Sequence, residues 1–188
     1  ESAKRVGFTS ISADMCFSPV KNATPDGVQL QAKGTHPGTA ASGEADQYNA
    51  IVKILQSIGC QVEQAEEGTY AGIKVIPGPA VVIKPSTACC PAEYPKVFPY
   101  PSEVKISSNS TLIVRGDVVI ESLDLNGCLI VDADPGKSII VKDKIVRNAG
   151  WVKVSDKTST DEVIKMRGYH IYRMEEERIE EKDGCAIL

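Results

Sequence analysis

A chain of 188 residues, 42% hydrophobic and 24% charged, has the composition of a soluble globular protein long enough to bury a core, which excludes wholesale disorder. Its net charge of -4 comes with lysines and arginines scattered along the chain, which excludes the basic stripe of a nucleic-acid binder. No run reaches the roughly 18 apolar residues of a membrane span, and the first residues are too polar for a signal peptide, so the reading is a protein of the cytoplasm.

The chain opens at Glu1 without a methionine and moves into a strand-like stretch over residues 5–11, as expected for a piece of a longer polypeptide. Phe17-Ser18-Pro19-Val20-Lys21-Asn22 follows. Lys21 comes just after a rigid X-Pro step, so its ammonium is carried on an extended segment, a suitable way to aim one point charge at a phosphate. A polar loop with Lys33, Gly34 and His36 then leads to a helix N-terminus, where glycine permits close approach and anions are favoured; a plain connecting loop is the competing reading. His36 titrates in the neutral range as a residue type, but no sequence neighbour identifies a proton-transfer partner.

Tyr48, Ile51, Val52, Leu55 and Ile58 recur at helical spacing, with Ser42 as the expected N-cap, Glu44 and Asp46 in the first turn and Gly59 as the stop. A strand starting near Cys60 completes a strand, loop, helix, strand order that suits the edge of an α/β sheet. From residue 68 to 101, two apolar stretches among seven prolines predict a hairpin, then an irregular, helix-free connector and a domain boundary. From 102 to about 172 short apolar clusters alternate with turn residues such as Asn126-Gly127 and Asp134-Pro135-Gly136. Such short strands fit a sandwich, a coiled β-solenoid or a small barrel; the clusters are short for sandwich strands and the turn spacing resembles loose hexapeptide rungs, which favours the solenoid. Trp151 is expected to cover an open end of it by packing. The acidic run after Tyr172 has little to bury and reads as a frayed tail.

The six cysteines form no C-x-x-C pair and only two histidines are available, so neither a structural zinc nor a disulfide framework is expected. Cys60 and Cys128 read as small core hydrophobes, and Cys89-Cys90 as an exposed thiol pair. Cys185-Ala186-Ile187-Leu188 has the form of a prenylation site, although the residues before it are acidic where a second membrane signal would be basic. Asn22-Ala23-Thr24 and Asn109-Ser110-Thr111 match the glycosylation pattern by coincidence, given no secretory signal.

Five motifs, in this order and spacing, carry a resemblance: Pro19-Val20-Lys21-Asn22, Thr39-Ala40-Ala41-Ser42-Gly43-Glu44, the Leu123 to Val131 stretch, Asn148-Ala149-Gly150-Trp151, and Ile164-Lys165-Met166-Arg167-Gly168-Tyr169. Together they resemble the C-terminal part of the UDP-sugar pyrophosphorylases, which are UTP:monosaccharide-1-phosphate uridylyltransferases. The resemblance implies a mixed α/β, mostly β chain. Residues 1–100 would be the edge of a nucleotidyltransferase domain plus linker, 101–174 a C-terminal β-solenoid (β-helix-like) domain, and 175–188 an acidic tail. It also implies that Lys21, and Lys21 alone, faces the substrate phosphates; Asn22 beside it is read from its position as holding the loop or meeting a phosphate oxygen, and Lys33 and His36 of the polar loop as further substrate-binding candidates. UTP, UDP-sugar and sugar-1-phosphate would be its ligands. The glycine-rich nucleotide loop, the Mg2+ ligands and the uracil and sugar contacts would lie in a missing N-terminal half, so that this chain alone would be inactive. The alternative is a non-catalytic β-solenoid that serves interaction or oligomerisation, whose stacked strands leave an end open to association.

Overall fold

The computed structural model describes residues 5–181. Residues 5–12 form no strand, contrary to expectation: an isolated extended segment has no ladder to join, and Phe8 stays 94% exposed. A single turn, α1 (Ala13–Cys16), precedes the helix α2 (Thr24–Ala32), which the sequence hid because its only buried residue is Gly27. Pro25 and Asp26 in the first turn of α2 are what start it. The long helix α3 (Ala40–Ile58) has the predicted face and ends at Gly59 in the left-handed conformation. Its N-cap is Thr39 and not Ser42: the two form a reciprocal pair, Ser42 taking the N3 position.

Helix α3 leads to β1 (Gln61–Val62), and here the expected edge of a separate α/β sheet gives way to another arrangement. Strand β1 pairs in parallel with β5 (Val104–Ile106), Val62 opposite Ile106, so it opens the sheet of the C-terminal strands. The hairpin is β2 (Gly68–Tyr70) with β3 (Ile73–Val75). Strand β4 (Ala80–Ile83), expected as a hairpin arm, instead pairs in parallel with β6 (Thr111–Arg115). The proline-rich segment between them was expected to be helix-free, yet it contains short helical turns, including α4 (Tyr94–Val97), each with a proline at its start where the lost N–H costs nothing.

Beyond β6 come β7 (Asp117–Ile120), β8 (Leu123–Asn126), β9 (Cys128–Asp132), β10 (Ser138–Val141) and β11 (Lys144–Arg147). Three parallel ladders take them in rotation: β1-β5-β8-β11, β4-β6-β9 and β7-β10. Thr111 lies opposite Cys128, and Leu123 sits between Val104 and Lys144, so equivalent residues of successive passes stack. Inward positions are apolar and fully covered (Val104, Ile106, Leu112, Leu123, Leu125, Leu129); in β5 and β8 their neighbours turn outward in the period-2 pattern of a strand, whereas in β9 Cys128 and Ile130 are buried as well. The same core takes in Val52 and Leu55 of α3 and Val81 of β4, so packing is continuous across residue 100. Among the described residues the architecture is mixed α/β, mostly strand, with parallel ladders and no ladder closed into a barrel.

The remaining elements are β12 (Trp151–Ser155), the short helix α5 (Glu162–Arg167), β13 (Tyr169–Arg173), which pairs antiparallel with β12, and β14 (Glu177–Glu180). Strand β14 corrects the expected frayed tail: it extends the second ladder beside β9, and Ile179 packs on the core. Its place comes from backbone pairing with β9, which apolar content does not record. Trp151 makes polar contacts that the packing role expected of it did not include. Its indole N–H donates to Glu176 at 2.9 Å, and the Arg173 guanidinium lies 4.5 Å from its ring.

Candidate functional site

The first two motifs, about twenty residues apart, meet in space. Val20 rests on Gly43 of α3 so closely that a Cβ at position 43 would lie 2.4 Å from a Val20 methyl. Ser18 Oγ donates to Asp46 Oδ2 at 2.6 Å. The backbone N–H groups of Lys21 and Asn22 both donate to the Gly38 carbonyl at 2.9 Å, and Asn22 Nδ2 donates to the Pro37 carbonyl at 2.9 Å. Gly38 has φ +60°, and a Cβ there would sit 3.0 Å from Asn22 Nδ2 and 3.2 Å from the Pro19 carbonyl, so the turn requires glycine. Asn22 is thus a clamp between two loops, and Lys21 leaves the clamp with its side chain exposed.

His36 is part of the same network. Its Nδ1 accepts the Gly38 N–H at 3.1 Å, which leaves the proton on Nε2 to bond Asp46 Oδ2 at 2.8 Å. Asp46, on α3, is the partner that the sequence neighbourhood of His36 did not reveal. Serine, histidine and aspartate are present, but Ser18 gives its proton to the carboxylate and not to the imidazole, so this is no nucleophilic triad. A cavity of about 930 Å³ opens here, bordered by Lys21, Asn22, His36, Asp46, Asn49 and Lys53. Three of the four proposed binding residues therefore share one cavity. Lys33 does not border it; it sits exposed at the end of α2. At the start of α3, Thr39 N–H donates to Ser42 Oγ (3.0 Å) and Ser42 N–H to Thr39 Oγ1 (3.4 Å), so the capping pair uses those two donors itself.

The last motif bolts the other side of the same helix. Glu44 accepts the Tyr48 hydroxyl at 2.6 Å and pairs with Arg167 Nε at 2.9 Å. Burial, then the hydrogen bond to Glu44, pushes both Tyr48 and Tyr169 well above the usual phenol range. Lys153 Nζ donates to the Pro77 carbonyl at 2.7 Å and lies 4.6 Å from the Tyr48 ring centroid. Burial pushes this amine down to about 8, Glu44 partly opposing and Arg167 reinforcing the shift. The unfolded chain keeps the proton up to the ordinary 10.5, so it binds more protons than the fold between about pH 8 and 10.5, and stability contributed at this site rises with pH across that window. Urea midpoints at pH 7.5 and 9.5 check this: wild type is expected to gain on Lys153→Met at the higher pH, and a pH-independent difference contradicts it.

Burial pushes the Cys60 and Cys128 thiols up to about 11 and 12, in keeping with inert core positions. Cys89 and Cys90 are exposed and free. The Asn148 motif has a structural role, in that its side chain accepts the Cys128 N–H (2.7 Å) and donates to the Cys128 carbonyl (3.0 Å), tying β9 to the turn after β11. Cys185 lies outside the described residues.

No family model matches the chain. Against curated proteins it is similar to the UDP-sugar pyrophosphorylase of Arabidopsis thaliana, 30% identical over 176 residues, which is 92% of this chain and 28% of that protein. It is likewise 32% identical over 177 residues to the UDP-sugar pyrophosphorylases of Oryza sativa subsp. indica and subsp. japonica, again 92% of this chain and 28% of each relative. The resemblance carried by five short motifs thus extends over nearly the whole chain, and the chain spans 28% of the length of these relatives.

Proposed function

We propose that this chain is part of a uridylyltransferase that makes a UDP-sugar and pyrophosphate, reversibly, from UTP and a sugar-1-phosphate. The observation that carries the reading is the single cavity that gathers Lys21, Asn22 and His36 on the start of α3. In such a transfer the sugar-1-phosphate oxygen attacks the α-phosphorus of UTP and pyrophosphate leaves, so the protein's work is alignment and charge stabilisation. Lys21 supplies a cation to the phosphates, and Asn22 fixes the backbone from which it extends. His36, tied to Asp46 and Gly38, shapes the wall.

Among the described residues no group of three or more His, Cys, Asp or Glu is disposed to hold a metal ion. We assign the Mg2+ that this chemistry uses, the uracil and sugar contacts and the nucleotide loop to the part of the relatives' length that this chain does not span. The three ladders are read as a short β-solenoid that buttresses α3, in a protein of the cytoplasm; no helix among the described residues is long and apolar enough to cross a membrane. A second reading, an interaction module, is favoured by the open edge of β10 and β11, where Ile140 and Ile145 stand 49% and 66% exposed.

A chimera separates the two readings. The chain replaces the matched segment of the Arabidopsis thaliana enzyme, and UDP-sugar formation is followed by pyrophosphate release. Turnover is expected from the chimera and none above blank from the chain alone. Turnover by the isolated chain contradicts its dependence on the rest of the protein, and a folded chimera that is inactive contradicts the enzyme reading.

A further inference from the structure

Asp46 ties the loops around Lys21 together from two directions. Ser18, at one end of the Lys21 segment, donates its hydroxyl proton to Asp46 Oδ2 at 2.6 Å. At the other end the Lys21 and Asn22 N–H groups donate to the Gly38 carbonyl, the Gly38 N–H donates to His36 Nδ1 at 3.1 Å, and His36 Nε2 returns to the same Asp46 oxygen at 2.8 Å. The bonds close a ring on one carboxylate. Asp46 stands near the start of α3, whose Val52 and Leu55 are fully buried in the core, so that carboxylate is carried on a seated helix. We infer that Asp46 is the positioning residue of the site: it holds the Lys21 segment through Ser18 on one side and through His36 and Gly38 on the other. The inference rests on the phosphate-facing role proposed for Lys21 and adds the residue that fixes where its amine stands.

Ser18 and His36 both donate, so the group between them must accept twice, and an ionised carboxylate does so through charge-assisted bonds. By keeping the imidazole proton on Nε2, Asp46 also selects the His36 tautomer whose Nδ1 carries no hydrogen and can accept from Gly38. A donor in place of the carboxylate would draw the proton to Nδ1, where it would face the Gly38 N–H. Gly38 in turn holds the backbone of residues 21 and 22, so a change at Asp46 reaches Lys21 through the main chain. A displacement of about 1 Å in a group that aligns the reacting atoms can cost two orders of magnitude in rate.

Amide hydrogen exchange on the 188-residue chain, read residue by residue by NMR, tests the geometry. In wild type the Lys21 and Asn22 amides are expected to exchange more slowly than unprotected amides. In Asp46→Ala both are expected to speed up at least about tenfold, while Val52 and Leu55 of α3 stay within about threefold. Asp46→Asn, which keeps the shape, takes over if the alanine variant does not fold. The rate is read in the Arabidopsis thaliana chimera, where Asp46→Ala is expected to lower kcat about tenfold or more with KM within about threefold. The same substitution in a Lys21→Ala chimera is expected to cost less than about threefold further, because a residue that acts through Lys21 has nothing left to place. Unprotected Lys21 and Asn22 amides in wild type, unchanged exchange in the variant, or an undiminished loss on top of Lys21→Ala each overturn the inference. Faster exchange with unchanged kcat overturns its bearing on the reaction. A folded parent chimera without turnover overturns the enzyme reading, and a Lys21→Ala chimera that keeps its rate overturns the role of Lys21; in both cases the exchange rates still decide whether Asp46 holds the segment.

Discussion

Truncating Leu55 to alanine is expected to cost the fold about 3 kcal/mol, within the usual range for a large core side chain that leaves a cavity behind. Leu55 is fully buried on α3 and belongs to the core that also contains Val81 of β4, Leu112 of β6 and Leu129 of β9. Collapse around the gap is resisted because β6 and β9 are held in register by parallel ladders on both sides and β4 by its ladder with β6. Leu55→Met keeps the volume and is expected to cost less than about 1.5 kcal/mol. Urea unfolding checks the pair, and a loss below about 1 kcal/mol for the alanine variant would mean that the helix is not seated as described. The consequence reaches the site, because α3 carries Asp46, Asn49 and Lys53 on its opposite face.

What was legible in the sequence was local. The period of Tyr48, Ile51, Val52 and Leu55 and the glycine at 59 specified α3, and short apolar clusters between turn residues, as around Asn126-Gly127, specified strands, because each pattern reflects which side chains leave water. Pairing was not legible in the same way. Ala80–Ile83 has the apolar look of a hairpin arm, but its partner lies about thirty residues on, and nothing in four apolar residues distinguishes the two. Strand β14 escaped for a related reason: its stability comes from backbone bonds to β9, which composition does not record.

The site was half legible. Lys21 and Asn22 were singled out through their motif and His36 through the polar loop before a helix, and the structure explains why the first two motifs occur together: Gly43 makes room for Val20, and Gly38 receives the N–H groups of Lys21 and Asn22. The Arg167 to Glu44 pair, which ties the last motif to the same helix, spans more than a hundred residues and has no sequence signature. Asp46 and Lys53 had one available signal, their shared spacing on the polar face of α3, which reads equally as an ordinary solvated surface.

Lys21 carries the largest functional effect expected. Its backbone is pinned by Gly38 and its neighbour Asn22 by Pro37, so the amine extends from a fixed point into a cavity with few competing carboxylates. Preorganised charge aimed at a phosphoryl group typically accounts for two to three orders of magnitude in rate, so replacing Lys21 by alanine removes about 3 kcal/mol of transition-state stabilisation. Arginine at the same position restores the charge with a different shape and is expected to recover only part of the rate.

The most direct measurement is kcat/KM for UDP-sugar formation by the Arabidopsis thaliana chimera with and without Lys21→Ala, both shown to be folded. A fall of at least about 100-fold, with KM changed far less than kcat, is the predicted result. A Lys21→Ala chimera that keeps its rate within about threefold of the parent would contradict the account.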